Sequence, residues 1–219
     1  MVKASLNFDF EPINNRLCVL RYKNESLKHT LICAYAPTLI NSEKFPDIRN
    51  DFYTQLESLI SNEPNNSILI IGGDFNAKTG SGYTQFNKNM GPYGKGILNS
   101  NGNHLLELAN RNNLVLTNTT FKHKLAHRAT WVSSCNYKNR RNPVRNQIDY
   151  MLVRISHLKC VLDSRSYSGL FLDTDHRMVI TKIKITDKRN NFHKLRVERN
   201  NLNSINIDNL GNQAIRREL

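Results

Sequence analysis

The segment Ile68-Leu-Ile-Ile-Gly-Gly-Asp-Phe-Asn76 contains the pattern that decides the fold. Its four aliphatic residues follow a polar turn and precede two glycines, which predicts a short strand buried on both faces. Asp74 and Asn76 come next, with one residue between them. On an extended chain such residues point to the same side, so we expect a carboxylate and a carboxamide together at the strand's end. The glycines let the chain turn sharply and leave room for a close approach.

Two interpretations of Asp74 and Asn76 stay open at this point. A carboxylate beside an amide at the edge of a rigid sheet suits a hard cation, a water nucleophile and a phosphate oxygen. The same pair of residues also forms Asx-type turns, in which the side chains only satisfy local backbone donors. Other parts of the chain are needed to choose between these interpretations.

A strong positive charge narrows the class of partner. The 219 residues fit one large α/β domain or two small ones. With 31 Lys and Arg against 18 Asp and Glu, the formal charge is +13. This excess favours a polyanion, with nucleic acid first and an anionic membrane second, although a basic surface without any partner has the same composition.

Features of membrane and secreted proteins are missing from the sequence. No apolar run approaches the roughly 20 residues of a membrane span. The N-terminus has no apolar segment of the signal-peptide kind. Four widely separated cysteines, without C-x-x-C or zinc-ligand spacing, are typical of reduced intracellular thiols. We therefore expect an intracellular protein.

Strands and helices alternate along the chain. The patterns predict a hairpin over 16–23 and 29–36, helices over 43–62 and 103–112, and strands over 114–119, 146–155 and 178–185. Gly94-Lys95 resembles part of a phosphate loop, but Gly96 stands where Ser or Thr is needed, which excludes that motif. We expect an α/β fold in which two mixed sheets pack together between flanking helices. Residues 1–186 form this domain, and the polar, basic stretch 187–219 predicts a linker or tail.

A basic segment lies in the middle of the chain. From Lys122 to Arg145 there are seven Lys or Arg and no acid, interleaved with Trp131 and Tyr137. Cations mixed with aromatic residues suit a surface that lies on a phosphate backbone. The alternative is a solvated loop whose tryptophan fills the core. The candidate nucleic-acid-binding residues are Trp131, Lys138, Arg140, Arg141 and Arg145.

Polar residues follow or end several predicted strands. Besides Asp74 with Asn76, these are Tyr35, Asp149, and Asp175 with His176. Asp149 lies within an apolar run, and an acid in such a position needs a partner for its charge. So many polar strand ends are hard to explain by core packing alone.

Five motifs in this order resemble those of the endonuclease/exonuclease/phosphatase superfamily. They are Ala34-Tyr-Ala-Pro37, Gly73-Asp-Phe-Asn76, Ala129-Thr-Trp131, Gln147-Ile-Asp-Tyr150 and Thr174-Asp-His176, with Thr174 in place of the usual serine. Within the superfamily, residues 8–186 are most similar to the apurinic-type endonuclease domain of RTE-like non-LTR retrotransposons and to craniofacial development protein 2-like proteins. The segments Phe10–Arg16, Asn118–Phe121 with His123-Lys124, and Asn146–Asp149 support this narrower resemblance.

The resemblance implies a catalytic role for five residues. His176 contacts the scissile phosphate, and Asp149 holds its imidazole in the cationic form. Asp74 orients or deprotonates the attacking water. Asn76 hydrogen-bonds the phosphate and that water, and Tyr35 donates to a phosphate oxygen.

The resemblance also implies a metal and a substrate. Asp175 and Asp74 are the expected ligands of Mg²⁺, for which Mn²⁺ can substitute. Trp131 supports the site or touches the nucleic acid. The implied partner is DNA in the nucleus, without a membrane or a small-molecule cofactor, and the oligomeric state stays open.

One departure from the superfamily pattern concerns the metal. Its members carry an Asn motif and a metal-binding Glu on strands upstream of the hairpin, which we expect this chain to lack. Glu11 lies on the wrong strand to replace that Glu. We therefore expect weak Mg²⁺ binding and impaired nicking. The alternative is that the chain is an inactive nucleic-acid-binding remnant of such an endonuclease. A third hypothesis, a phosphatase that acts on inositol phosphates or sphingomyelin, is disfavoured by the basic charge.

Overall fold

The computed structural model describes residues 8–24, 27–81, 84–133, 143–167 and 174–184. Its strands are β1 (Phe8–Pro12), β2 (Leu17–Asn24), β3 (Leu27–Tyr35), β4 (Ile68–Asp74), β5 (Leu114–Leu116), β6 (Trp131–Val132), β7 (Arg145–Asn146), β8 (Asp149–Arg154), β9 (Val161–Tyr167) and β10 (Met178–Ile183). Its helices are α1 (Leu39–Lys44), α2 (Pro46–Asn62) and α3 (Ser100–Arg111), with 3₁₀ turns at Thr84–Phe86, Thr117–Thr119, Leu125–His127 and Ile155–Cys160. The predicted tail 187–219 lies outside the described residues.

A six-stranded mixed sheet in the order β1-β2-β3-β4-β8-β5 forms the centre of the domain. The predicted hairpin β2–β3 is confirmed, and β3 pairs in parallel with β4 after the crossover through α1 and α2. All other pairs in this sheet are antiparallel. Among the described residues, β9 with β10 and β6 with β7 form two smaller sheets.

The two faces of the large sheet are covered by different elements. Helices α2 and α3 pack on one face through buried residues such as Leu56 and Leu105, which join Ile32 and Ile71 in the main core. On the opposite face, Val115 and Val153 pack against β9 and β10. This confirms the expected α/β fold with a mixed sheet and flanking helices, although the smaller described sheets are two-stranded and antiparallel.

The predicted helix over 43–62 is two helices. Pro46 is the first residue of α2, where its missing N–H costs no hydrogen bond. Phe45 separates α2 from the short helix α1, which the pattern did not indicate. The Thr38 hydroxyl caps α1 by accepting from the Asn41 N–H at 3.4 Å.

Strand boundaries also differ from the predictions. The predicted strand 146–155 is divided into β7 and β8 by Gln147-Ile148, and the predicted strand 114–119 ends at Leu116. Helix α3 begins at Ser100, after the Asn99 side chain caps it by accepting from the Gly102 N–H. No helix in the described ranges is long and apolar enough to cross a membrane.

Candidate metal and phosphate site

Three neighbouring strands place polar residues in one row at the edge of the large sheet. Tyr35 at the end of β3 pairs with Asp74 at the end of β4, and Asp74 pairs with Asp149 at the start of β8. The strand-end positions in the sequence indicated these residues one by one. Pairing between the strands brings them together.

His176 reaches this row from a separate segment. It forms an isolated antiparallel bridge with Trp131, and the Arg177 N–H donates to the Thr130 carbonyl at 2.7 Å. The Trp131 indole N–H donates to the Asp175 carboxylate at 2.8 Å. Trp131 therefore holds the segment that carries the imidazole.

The imidazole of His176 lies between two carboxylates. Its Nδ1 atom is 3.1 and 3.2 Å from the two carboxylate oxygens of Asp149, and its Nε2 atom is 4.0 Å from Asp74 Oδ2. One potential ligand atom from each of the three residues lies within 4.8 Å of the others. Asp149 thus has the partner that its position in an apolar run requires.

The electrostatics of the site disfavour ionisation of both carboxylates when no cation is bound beside them. Burial, then the negative charge of Asp149, raises the pKa of Asp74 from 3.8 to about 6, against the hydrogen bond from the Asn76 N–H. Burial likewise raises the pKa of Asp149, although Thr130 and His176 lower it. A bound cation would relieve this accumulation of negative charge.

Asp149 is positioned by two residues that the sequence did not single out. The Thr130 hydroxyl oxygen accepts from the backbone N–H groups of Ile148 and Asp149, both at 3.0 Å. The Asn118 amide donates to the Asp149 carbonyl at 2.9 Å, and its oxygen accepts from the Met151 N–H. Both residues lie inside motifs quoted above, so their positions, but not their roles, were visible in the sequence.

Asp74 and Asn76 form a turn as well as belonging to the site. The Asn76 N–H donates to Asp74 Oδ1 at 2.8 Å, which is the Asx-type arrangement that stayed open. Asn76 has a φ of 47° and its amide donates to the Ala36 carbonyl at 2.9 Å, so the expectation of an extended chain through Asn76 was wrong. The turn uses one Asp74 oxygen and leaves Oδ2 toward His176.

The glycines before Asp74 admit neighbouring protein atoms. A Cβ on Gly73 would lie 1.8 Å from the Ala34 carbonyl oxygen, and one on Gly72 would lie 2.5 Å from the Met151 sulfur. The atoms that approach these glycines closely therefore belong to the neighbouring strands β3 and β8 of the same sheet.

Tyr35 projects from the row into solvent, with 49% of its surface exposed. The Arg16 guanidinium lies 5.4 Å from the centre of the Tyr35 ring and donates to the Tyr35 carbonyl at 3.2 Å. Arg16 adds a cation to the edge of the site. Its place just before β2, opposite Tyr35 in the hairpin register, was the signal that could have identified it.

Other candidate ligands lie outside the three-residue group. Asp175 is bonded to the Trp131 indole, and its metal role stays a prediction. Glu11 pairs with Arg21, which also pairs with Glu63.

Of the predicted nucleic-acid-binding cations, Arg145 is exposed on β7 beside Trp131 and Val132, whereas Lys138, Arg140 and Arg141 lie outside the described residues.

Comparison with known proteins begins with sequence. No family model matches the chain. Craniofacial development protein 2 from Bos taurus is 31% identical over 172 residues, which is 78% of this chain and 27% of that protein. The chain thus spans about a quarter of the length of this curated relative.

Solved structures resemble the chain over most of its length. The endonuclease domain of TRAS1, a telomere-specific non-LTR retrotransposon, superposes with a TM-score of 0.57 at 15% identity, covering 85% of this chain and 73% of that domain. The chain has the endonuclease/exonuclease/phosphatase fold. The AP endonuclease LMAP from Leishmania major gives a TM-score of 0.60 at 13% identity, covering 84% of this chain and 63% of that enzyme. The predicted fold class is confirmed, and within the fold the site lies at the sheet edge formed by β3, β4 and β8.

Proposed function

We propose that this chain is a Mg²⁺-dependent DNA endonuclease domain of retrotransposon origin, which nicks DNA by phosphodiester hydrolysis. The observation that carries the proposal is the meeting of Asp74, Asp149 and His176 within 4.8 Å at the edge of the sheet. The TRAS1 endonuclease domain, which is part of a retrotransposon, shares the fold and supports that origin.

The residues of the site fit a hard divalent cation. Asp74 and Asp149 offer carboxylate oxygens, which Mg²⁺ and Mn²⁺ prefer, and their raised pKa values reflect a charge that a cation would neutralise. When bound, the ion would polarise the phosphoryl oxygen and stabilise the leaving 3′-oxygen.

Two of the side chains can divide the proton chemistry. Asp149 holds Nδ1 of His176, so Nε2, which lies 4.0 Å from Asp74 Oδ2, can donate to a phosphate oxygen that binds beside it. Asp74 has one oxygen in the turn with Asn76, so the other can accept a proton from water.

The charge around the site supports a polyanionic substrate. The formal charge of +13 and the cations Arg16 and Arg145 suit several backbone phosphates. Tyr35, beneath Arg16, can donate its hydroxyl to a phosphate next to the scissile one. The proposed partner is DNA, and the proposed location of the activity is therefore the nucleus.

We expect the metal to bind weakly. Within the described residues, the metal-ligand group contains only two carboxylates, and Glu11 is engaged with Arg21. Mg²⁺ sites of this kind keep several waters and depend on substrate phosphates for further ligands. Nicking should therefore be slow and should increase with Mg²⁺ into the millimolar range.

Nicking of supercoiled plasmid DNA tests the proposal. We expect slow conversion to nicked circles that needs Mg²⁺ or Mn²⁺, is stopped by chelation, and falls at least about 100-fold in Asp74→Asn. Asp163→Asn is the matched control, since Asp163 pairs with His123 and Arg165 outside the site. DNA binding without any metal-dependent nicking would refute the enzyme and favour the inactive remnant.

A further inference from the structure

Two cysteines lie directly opposite each other on neighbouring strands. Cys18 on β2 pairs with Cys33 on β3 in the antiparallel ladder. Their side chains therefore lie on the same face of the sheet. Both are free thiols. Fourteen residues separate them in sequence, so no spacing motif identifies the pair.

The backbone register suits a disulfide between them. The Tyr35 N–H donates to the Arg16 carbonyl, so every second pair counted from Arg16 and Tyr35 exchanges main-chain hydrogen bonds. Cys18 with Cys33 is the next such pair, for which the Cα atoms are typically about 5.5 Å apart. Disulfides span about 4.4 to 6.8 Å between Cα atoms, so the bond needs little strand movement.

Reagents in solvent can reach the pair. Cys33 is exposed and Cys18 is half-buried. Partial burial, and then the neighbouring Cys18 thiol, raises the pKa of Cys33, which keeps the thiol protonated at neutral pH. Exchange with a disulfide-bearing oxidant is therefore slow at neutral pH and becomes faster as the pH rises.

We propose that Cys18 and Cys33 are a reversible redox modification site, which forms a cross-strand disulfide by exchange with small disulfides such as oxidised glutathione. The Cys33 thiolate attacks one sulfur of the oxidant and releases one glutathione thiolate. The Cys18 thiolate then attacks the Cys33 sulfur and releases the second. The two protein thiols lose two electrons and two protons, and one oxidised glutathione becomes two reduced molecules.

Oxidation at this pair acts close to the candidate site. Cys33 precedes Tyr35 by two residues on the same face of β3, which is about 6.6 Å along the strand. Closing the disulfide fixes β2 to β3 at a point two residues from both Arg16 and Tyr35. The effect on nicking rests on the proposed function, but formation of the disulfide does not.

Mass spectrometry of the full chain tests the modification. Cys135→Ser and Cys160→Ser leave only the pair, and the native protein is incubated with graded mixtures of oxidised and reduced glutathione. We expect the loss of two hydrogens, no retained glutathione, a cross-linked peptide joining residues 18 and 33, and full reversal by reduced glutathione. Exposed disulfides are readily reduced in this way.

The control removes one partner. Cys18→Ser in the same background should retain one glutathione on Cys33, because no second thiol can displace it. Persistence of two free thiols, or of stable glutathione adducts in the chain that keeps both cysteines, overturns the proposal. The oxidised chain should also nick plasmid about tenfold or more slowly, since small displacements at a site are costly. If the reduced chain does not nick DNA but still forms the disulfide, the result counts against the proposed nuclease activity and leaves the disulfide proposal standing.

Discussion

Replacement of Asp74 by asparagine should stabilise the metal-free domain while it removes activity. Burial and the nearby Asp149 raise the pKa of Asp74 from 3.8 to about 6, so the folded protein holds this carboxylate ionised at a cost. At about 1.36 kcal/mol per pKa unit, the difference corresponds to about 3 kcal/mol. Because the side chain keeps 15% of its surface exposed, screening reduces the expected gain to about 1–2 kcal/mol.

The sign of this effect depends on pH in a defined way. A carboxyl group whose pKa is higher in the folded state binds its proton more tightly there, so stability falls as pH rises from about 4 to 6. The advantage of Asp74→Asn should be complete above pH 6, fall to about half near pH 5, and vanish below pH 4. Asparagine can still accept from the Asn76 N–H, so the turn is kept.

Urea unfolding followed by fluorescence of the one tryptophan, Trp131, measures this difference. Asp163→Asn should change stability in the opposite direction by about 0.5–1 kcal/mol, because Asp163 accepts from His123 at 2.7 Å and pairs with Arg165. Equal or lower stability of Asp74→Asn at neutral pH, measured without metal, would refute the argument that the site holds uncompensated charge.

Three further outcomes follow from single contacts. His176→Ala should cost about 1–3 kcal/mol in urea unfolding, because Asp149 loses its partner, and unchanged stability would count against that pairing. DNA affinity in fluorescence anisotropy should fall steeply with salt, and Arg145→Ala should reduce the salt slope by about 1 without altering the melting temperature. Gly73→Ala should destabilise the domain by more than about 2 kcal/mol in thermal melting, since its Cβ would lie 1.8 Å from the Ala34 carbonyl oxygen.

Much of the central sheet could be predicted because the pattern of apolar residues in its strands is simple. The run before Gly72 is apolar and short, so β4 was predictable, and alternation of apolar residues identified the hairpin β2–β3. Strand β9 was not predicted because its buried positions include Ser164 and Ser166, which carry no apolar signal. Ser164 is tolerated there since it hydrogen-bonds to Thr117 and Thr181.

The residues of the candidate site could be predicted from the sequence, but their arrangement in space could not. Strand ends identified Asp74 and Asp149, but only the β4–β8 pairing shows that they face each other. Asn76 was expected to extend the strand, whereas its N–H bond to Asp74 and its amide bond to Ala36 turn the chain there. The second bond depends on the position of Ala36, which is 40 residues away in sequence, and no local pattern encodes that contact.

The most direct test of the proposed metal site is a Mn²⁺ titration of the chain followed by electron paramagnetic resonance, which measures the free ion even when binding is weak. We expect one weak Mn²⁺ site per chain, competed by Mg²⁺, lost in Asp74→Asn and kept in Asp163→Asn. Equal Mn²⁺ binding by the parent chain and by Asp74→Asn would contradict a metal centre held by the Asp74 and Asp149 carboxylates.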